Sequence, residues 1–147
     1  MVSGLKLFDL KGKTALITGS SQGIGYALAN GLAEAGSDII LNGRNIKKLK
    51  QSAGSINTKK MIFQLCFDVT DYEQVKQSID KFEQENRPID ILINNAGMQF
   101  RTPLEDFPPE KFEELLKTNV SSVFNVSQVV AKHMIKRGEG KIINIGS

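Results

Sequence analysis

The stretch "TGSSQGIG", Thr18 to Gly25, sets three glycines, Gly19, Gly23 and Gly25, directly after an apolar run and ahead of a helical pattern. Glycines at a strand-to-helix turn let the backbone bend sharply and come close to a pyrophosphate. The first turn of the helix adds free N–H groups and the positive end of its dipole. The same glycines could serve only a tight turn that packs helix against strand. Context favours the anion: a buried strand precedes the turn, an amphipathic helix follows it, and a second strand lies beyond. Gly19, Ser21, Gln22, Gly23, Ile24 and Gly25 therefore form the first candidate ligand set.

Cofactor choice in such a unit is made after the second strand. An acidic residue there bonds an adenosine ribose 2′-OH and repels a 2′-phosphate, whereas an arginine pairs with that phosphate. The sequence reads "ILNGRN", with Gly43 where the acid would stand and Arg44 next to it, so NADP(H) is expected over NAD(H). The alternative for Arg44 is a solvated loop cation, and the glycine turn itself, Ser20, Ser21, Gln22, supplies no second basic residue. In "DVTDYEQV", Asp68 and Asp71 can be turn and N-cap residues, and Asp71 is expected to cap the next helix. Asn119, between Leu116 and Val120, reads as a buried amide that demands hydrogen-bond partners.

These residues need elements to hold them. Apolar runs at Lys13–Thr18, Asp38–Asn42, Met61–Phe67, Asp90–Asn94 and Lys141–Ile145 read as five strands. Helical spacing joins them: Ile24, Leu28, Leu32 and Ala35; then Val75, Ile79 and Phe82; then one long helix through Phe112, Leu115, Leu116, Val120, Val123 and Val130. Strands separated by helix-length segments imply crossover connections and a parallel sheet. Without repeats or linkers, residues 1–147 are expected to form one domain.

Bulk properties exclude some classes. With 19 basic and 16 acidic residues, the net charge is only +3 and the lysines are scattered, which argues against a nucleic-acid partner. No window approaches a membrane span and "MVSGLKLFDLKGK" lacks a signal-like apolar core, so a cytoplasmic, untargeted protein is expected. The single cysteine, Cys66 in "MIFQLCF", is expected to be a buried thiol, and no metal site is assigned.

Taken together, Thr18, Gly19, Gly23 and Gly25 in the pattern TGxxxGxG, "NNAG" at Asn94–Gly97, Asp68 with Val69 after the third strand, and Asn119 resemble the short-chain dehydrogenase/reductase family. The likeness runs over essentially all 147 residues. It implies a Rossmann-type α/β fold, a doubly wound parallel sheet with helices on both faces, and hydride transfer between a nicotinamide and a small-molecule alcohol or ketone. It assigns Asp68 and Val69 to the adenine, Asn95, Ala96 and Gly97 to the cofactor face, Asn119 to a water in a proton relay, and Ser147 to orienting the carbonyl. A homodimer or homotetramer through the long helix is implied for intact relatives.

In the family a Tyr and a Lys four residues later follow that serine, and here they would lie past Ser147. Tyr72 and Lys76 have the spacing, but on a helix expected to be remote from the nicotinamide. The expectation is therefore a fold lacking its last part, inactive alone, with Ile142, Ile143 and Ile145 on an uncovered edge. The stretches "LNGRN", "PIDILINNAGMQFRTPLEDF" and "KHMIKRGEGKIINIGS" are similar to the subgroup acting on gluconate and 5-keto-gluconate, for which Gln99 and Arg101 could meet a sugar acid. A 3-oxoacyl thioester reductase and a non-catalytic dinucleotide-binding fragment are the alternatives.

Overall fold

The structure, a computed structural model, describes residues 7–146. Five strands, β1 (Thr14–Ile17), β2 (Asp38–Gly43), β3 (Ile62–Cys66), β4 (Ile91–Asn94) and β5 (Lys141–Asn144), alternate with helices α1 (Gly23–Glu34), α2 (Ile46–Ser55), α3 (Tyr72–Glu85), α4 (Pro109–Leu116) and α5 (Ser122–Arg137). All strand pairs are parallel and the sheet order is β3-β2-β1-β4-β5.

Side chains on a strand alternate between faces, and the core divides accordingly. Leu16, Ile40 and Leu92 face Val75, Ile79 and Phe82 of α3 and Val126, Val129 and Val130 of α5. Ala15, Ile17, Ile39, Leu41, Ile91 and Ile93 face Ala29 and Ala33 of α1 and Leu49 of α2. The expected doubly wound sheet, with helices on both faces, is present. Between β1 and β4 the strand order reverses, and sheets of this kind bind ligands outside the carboxyl ends of the strands at that point.

Three expectations need correction. The buried stripe of α1 is Gly25, Ala29 and Ala33, with Leu28 and Leu32 partly buried and Ile24 exposed. Small residues let this helix approach the sheet closely, so the larger apolar row lies to one side. Cys66 is exposed, because it ends β3, which stands at the sheet's edge. The long helix is interrupted: Lys117–Ser121 forms a π-helical turn, with the Ser122 N–H reaching the Lys117 carbonyl. Phe112, Leu116 and Val120 are exposed, so the inward stripe begins only at Ser122 and Val126. Asp71 does cap α3, its carboxylate accepting from the Gln74 N–H.

Candidate functional site

Residues leaving β1 are held at the switch point by a closed set of hydrogen bonds. The Thr18 hydroxyl accepts from the N–H groups of Asn95 (2.9 Å) and Ala96 (3.0 Å), tying the turn after β1 to the turn after β4. In return the Asn95 amide donates to the carbonyl of Thr18 at 3.0 Å. Gly19 and Gly23 have φ of +62° and +61°, backbone that L side chains rarely adopt. A Cβ at Gly19 would stand 2.9 Å from the Ala96 Cα, and one at Gly25 would stand 2.5 Å from the Asn95 amide nitrogen. Gly25 lines neither cavity described below; its glycine is required for close packing of α1 on the Asn95 turn.

Ser20 and Asn42 complete the turn, and sequence reasoning singled out neither as a site residue. The buried Ser20 hydroxyl donates to the Ile17 carbonyl at 2.7 Å and accepts from the Asn42 N–H at 3.0 Å. The Asn42 amide donates to the carbonyls of Leu65 and Phe67 at 3.1 and 3.2 Å, joining the ends of three strands. The signal was available: a polar residue ending an apolar run, Asn42 in "DIILN", must find partners if it is buried.

Above these ends opens a cleft of about 680 Å³. Gly19, Ser21, Gln22, Gly23, Arg44, Asp68, Val69, Asn95, Ala96 and Gly97 line it, so most of the predicted set is brought together. The first turn of α1 has no side-chain cap and no acidic residue, which leaves its N–H groups and positive dipole end for an anion. Arg44 lines the same cleft, largely exposed, with its guanidinium 3.9 Å from the Asp68 carboxylate. Burial works to raise the Asp68 pKa. The backbone and hydroxyl hydrogen bonds from Thr70, both 2.8 Å, outweigh it together with the charges of Arg44 and Lys117, and hold the carboxyl below its ordinary value.

A second cavity of about 470 Å³ adjoins the first and shares Asn95, Ala96, Gly97 and Met98 with it. Ile24, Val123 and Ile145 give it apolar walls, while Gln99 and Asn119 add amides. Asn119 is exposed rather than buried: its oxygen accepts from the Met98 N–H at 2.8 Å and its nitrogen donates to the Met98 carbonyl at 2.9 Å. The amide thus braces the Asn95–Met98 turn against the π-helical turn and keeps one N–H and one lone pair for a further partner. The Ser122 hydroxyl, 2.5 Å from the Thr118 carbonyl, takes up an acceptor at the same irregularity.

Other candidates separate. Arg101 lines neither cavity. Tyr72 donates to Gln128 at 2.9 Å and Lys76 pairs with Asp80 at 2.9 Å, so this pair belongs to the surface and packing of α3. Ser147 lies outside the described residues. Among those described, no cluster of His, Cys, Asp and Glu could hold a metal, and no helix is long and apolar enough to cross a membrane.

Comparison with known proteins bears on the cleft. The family model described as short chain dehydrogenase matches residues 13–147. Gluconate 5-dehydrogenase of Gluconobacter oxydans is 48% identical over 142 residues, 96% of this chain and 56% of that protein. The 2-dehydro-3-deoxy-D-gluconate 5-dehydrogenase of Bacillus subtilis is 44% identical over 141 residues, 95% of this chain and 55% of that one. Among solved structures, a gluconate 5-dehydrogenase from Burkholderia cenocepacia in complex with NADP and tartrate superposes with a TM-score of 0.94 at 49% identity, over 99% of this chain and 57% of that one. The chain spans about half the length of these relatives. With the glycine turn, the Asn95–Gly97 turn and the Asp68–Val69 wall meeting in one cleft, and a family match covering almost the whole sequence, the chain belongs to the short-chain dehydrogenase/reductase family.

Proposed function

We propose that this chain carries the dinucleotide-binding part of an NADP(H)-dependent oxidoreductase acting on a gluconate-type sugar acid, together with one wall of its substrate cavity. The observation that carries the reading is the composition of the first cleft. Two left-handed glycines, an uncapped, acid-free helix N-terminus and an exposed arginine beside a glycine meet there. Such a cleft suits a molecule with a pyrophosphate at its middle and a further phosphate on its adenosine ribose.

In this reading the N–H groups of Gly23 and its neighbours hold the pyrophosphate, Asp68 and Val69 flank the adenine, and Arg44 pairs with the 2′-phosphate. Gly43 leaves space there: a Cβ at this position would meet Leu49 and the Ser21 hydroxyl only at ordinary contact distance, 3.5 Å. Ile24, Ala96 and Gly97 give the nicotinamide end an apolar seat. The bound nicotinamide supplies the hydride chemistry, and the protein binds, orients and manages the proton. Ser147 is proposed to orient the substrate carbonyl. Asn119 is proposed to act through its brace on Met98, which sets the floor that the two cavities share. The sugar acid rests on what the relatives are: the two proteins above are 5-dehydrogenases of gluconate-type acids, and the NADP-bound structure also holds tartrate, a hydroxy acid. Gln99 is positioned to meet such a polyol, because it lines the second cavity together with the amides of Asn95 and Asn119.

Titration of the intrinsic fluorescence of NADPH and NADH tests the cofactor. Arg44→Ala is expected to weaken NADPH about tenfold or more and NADH far less, since a charge-assisted hydrogen bond contributes roughly 1.5–3 kcal/mol. Equal losses would overturn the preference. For the intact form, NADPH oxidation with 5-keto-gluconate, set against an acetoacetyl thioester, tests the substrate; turnover of the thioester alone would move the assignment to the acyl reductases.

A further inference from the structure

The glycine turn holds no basic side chain, and Arg44 is the cation on the β2 side of the cleft. A second cation reaches the same cleft from the opposite wall. Lys117 opens the π-helical turn between α4 and α5, lines the cleft beside Thr118 and is exposed to solvent. Among the described residues no carboxylate lies within ion-pair distance of it: Glu114, on the same wall, is held by Lys111 at 2.6 Å, and Asp68 is nearest to Arg44. Its charge is nonetheless felt across the opening, where it helps to hold the Asp68 carboxyl deprotonated. A lone lysine on a helix normally faces bulk water. Here the helical break, braced by Asn119 on Met98, sets it on the rim of a cavity suited to a polyanion.

We propose that Lys117 is a cofactor-binding residue, a second cation that attracts the charge shared by NADH and NADPH, while Arg44 alone distinguishes the two through the 2′-phosphate. The wall it stands on supports this division of labour. Arg44 follows β2, whereas Lys117 opens the π-helical turn two residues before Asn119, whose amide bonds Met98 after β4. The proposal rests on the dinucleotide reading of the cleft.

The experiment measures dissociation constants of both NADH and NADPH by nicotinamide fluorescence, at low and at high salt, for the wild-type chain and for Lys117→Gln, Lys117→Glu and Lys117→Arg. An exposed charge pair supports a loss of about two- to fivefold for Lys117→Gln. That loss is expected for both dinucleotides alike and should shrink at high salt, where exposed charges are screened. Lys117→Glu is expected roughly to square the factor, since it replaces an attraction by a repulsion. Lys117→Arg should bind as the wild type does. Unfolding midpoints matching the wild type would show that the fold is intact, as expected for an exposed side chain. Unchanged affinity in Lys117→Gln and Lys117→Glu would overturn the proposal while leaving the dinucleotide reading in place. A loss confined to NADPH would also overturn it, by making Lys117 a reader of the 2′-phosphate. Failure of the wild-type chain to bind either dinucleotide would overturn both readings together.

Discussion

β1 and β5 are strands of equal length, four residues each, yet their surroundings are opposite. Thr14–Ile17 has β2 on one side and β4 on the other and is buried at every position. Lys141–Asn144 pairs with β4 alone and is exposed at every position, with Ile142, Ile143 and Ile145 between 38% and 47% accessible. β1 delivers the residues that follow it to the switch point, and β5 delivers Ile145 and Gly146 to the second cavity beside it. The glycine turn after β1 is therefore fixed by a core on both faces and by the Thr18, Ser20 and Asn42 bonds. The segment after β5 is held at one edge, by the Asn94 side chain, which donates to Asn144 and Ser127 at 2.9 Å each, and by the Ile145 N–H on the Asn94 carbonyl. Burying an isoleucine contributes roughly 1.5–3 kcal/mol, so β1 is secured many times over where β5 is not. In this chain the residues proposed to bind the adenosine half of the cofactor are pre-organised, and those proposed to meet the substrate are less so.

The largest expected effect tests the ordered side. Gly25→Ala drives a methyl group into the Asn95 amide and the Gly19 carbonyl, and should lower stability by about 2–3 kcal/mol while reducing NADPH affinity more than tenfold. Urea unfolding and fluorescence titration read the two effects; wild-type values in both would mean the turn is far softer than its contacts suggest. Next, Asn94→Ala removes the side-chain link between β4, β5 and α5, at an expected cost of about 1 kcal/mol, because the buried amide gives up its bonds to the half-buried Ser127 and the exposed Asn144. Hydrogen exchange should then rise at Ile142–Ile145 well before it rises in β2. A uniform rise would erase the contrast between the two regions.

A smaller effect has the opposite sign. Gly31 lies inside α1 with nothing within 4 Å of a Cβ placed on it, so Gly31→Ala should raise stability by about 0.5–1 kcal/mol, in contrast to Gly25 on the same helix. The smallest concerns the α3–α5 joint, where the Asp80 carboxylate meets His133 at 2.7 Å and Lys76 at 2.9 Å. Burial acts to raise the Asp80 pKa, and the bonds from His133 and Lys76 outweigh it and lower it. A carboxyl with a lowered pKa stabilises the fold above its ordinary range and loses that contribution as pH falls through it. Asp80→Asn should therefore cost about 0.5 kcal/mol near neutral pH and progressively less as pH falls below the ordinary carboxyl range, as followed by urea unfolding across that range. A cost independent of pH would show that the interaction is not electrostatic.

Much of this arrangement was legible before folding. The five apolar runs became the five strands within a residue or two at each end, and β1, β2 and β4, the buried ones, are the most continuously apolar. Gly19, Gly23, Arg44, Asp68 and the Asn95–Gly97 turn were readable because their types and order match a demand of chemistry, and they converge on one cleft. The misreadings share a cause. Ile24, Cys66 and Asn119 were judged by their neighbours in sequence, but their exposure depends on what packs against them: Ile24 faces a cavity, Cys66 ends an edge strand, and Asn119 braces Met98. Asn42 was passed over for the same reason, since its partners Leu65 and Phe67 lie more than twenty residues away.

The sequence by itself determined the alternation of strand and helix, the parallel sheet and the class of ligand suggested by the first turn. Those follow from local periodicity and from backbone freedom at particular glycines. Only the tertiary structure decided which strands stand at the edges, where the long helix breaks, and that Lys117 faces Asp68 and Arg44 across one cleft. These depend on contacts between residues far apart in the chain, which no local pattern encodes.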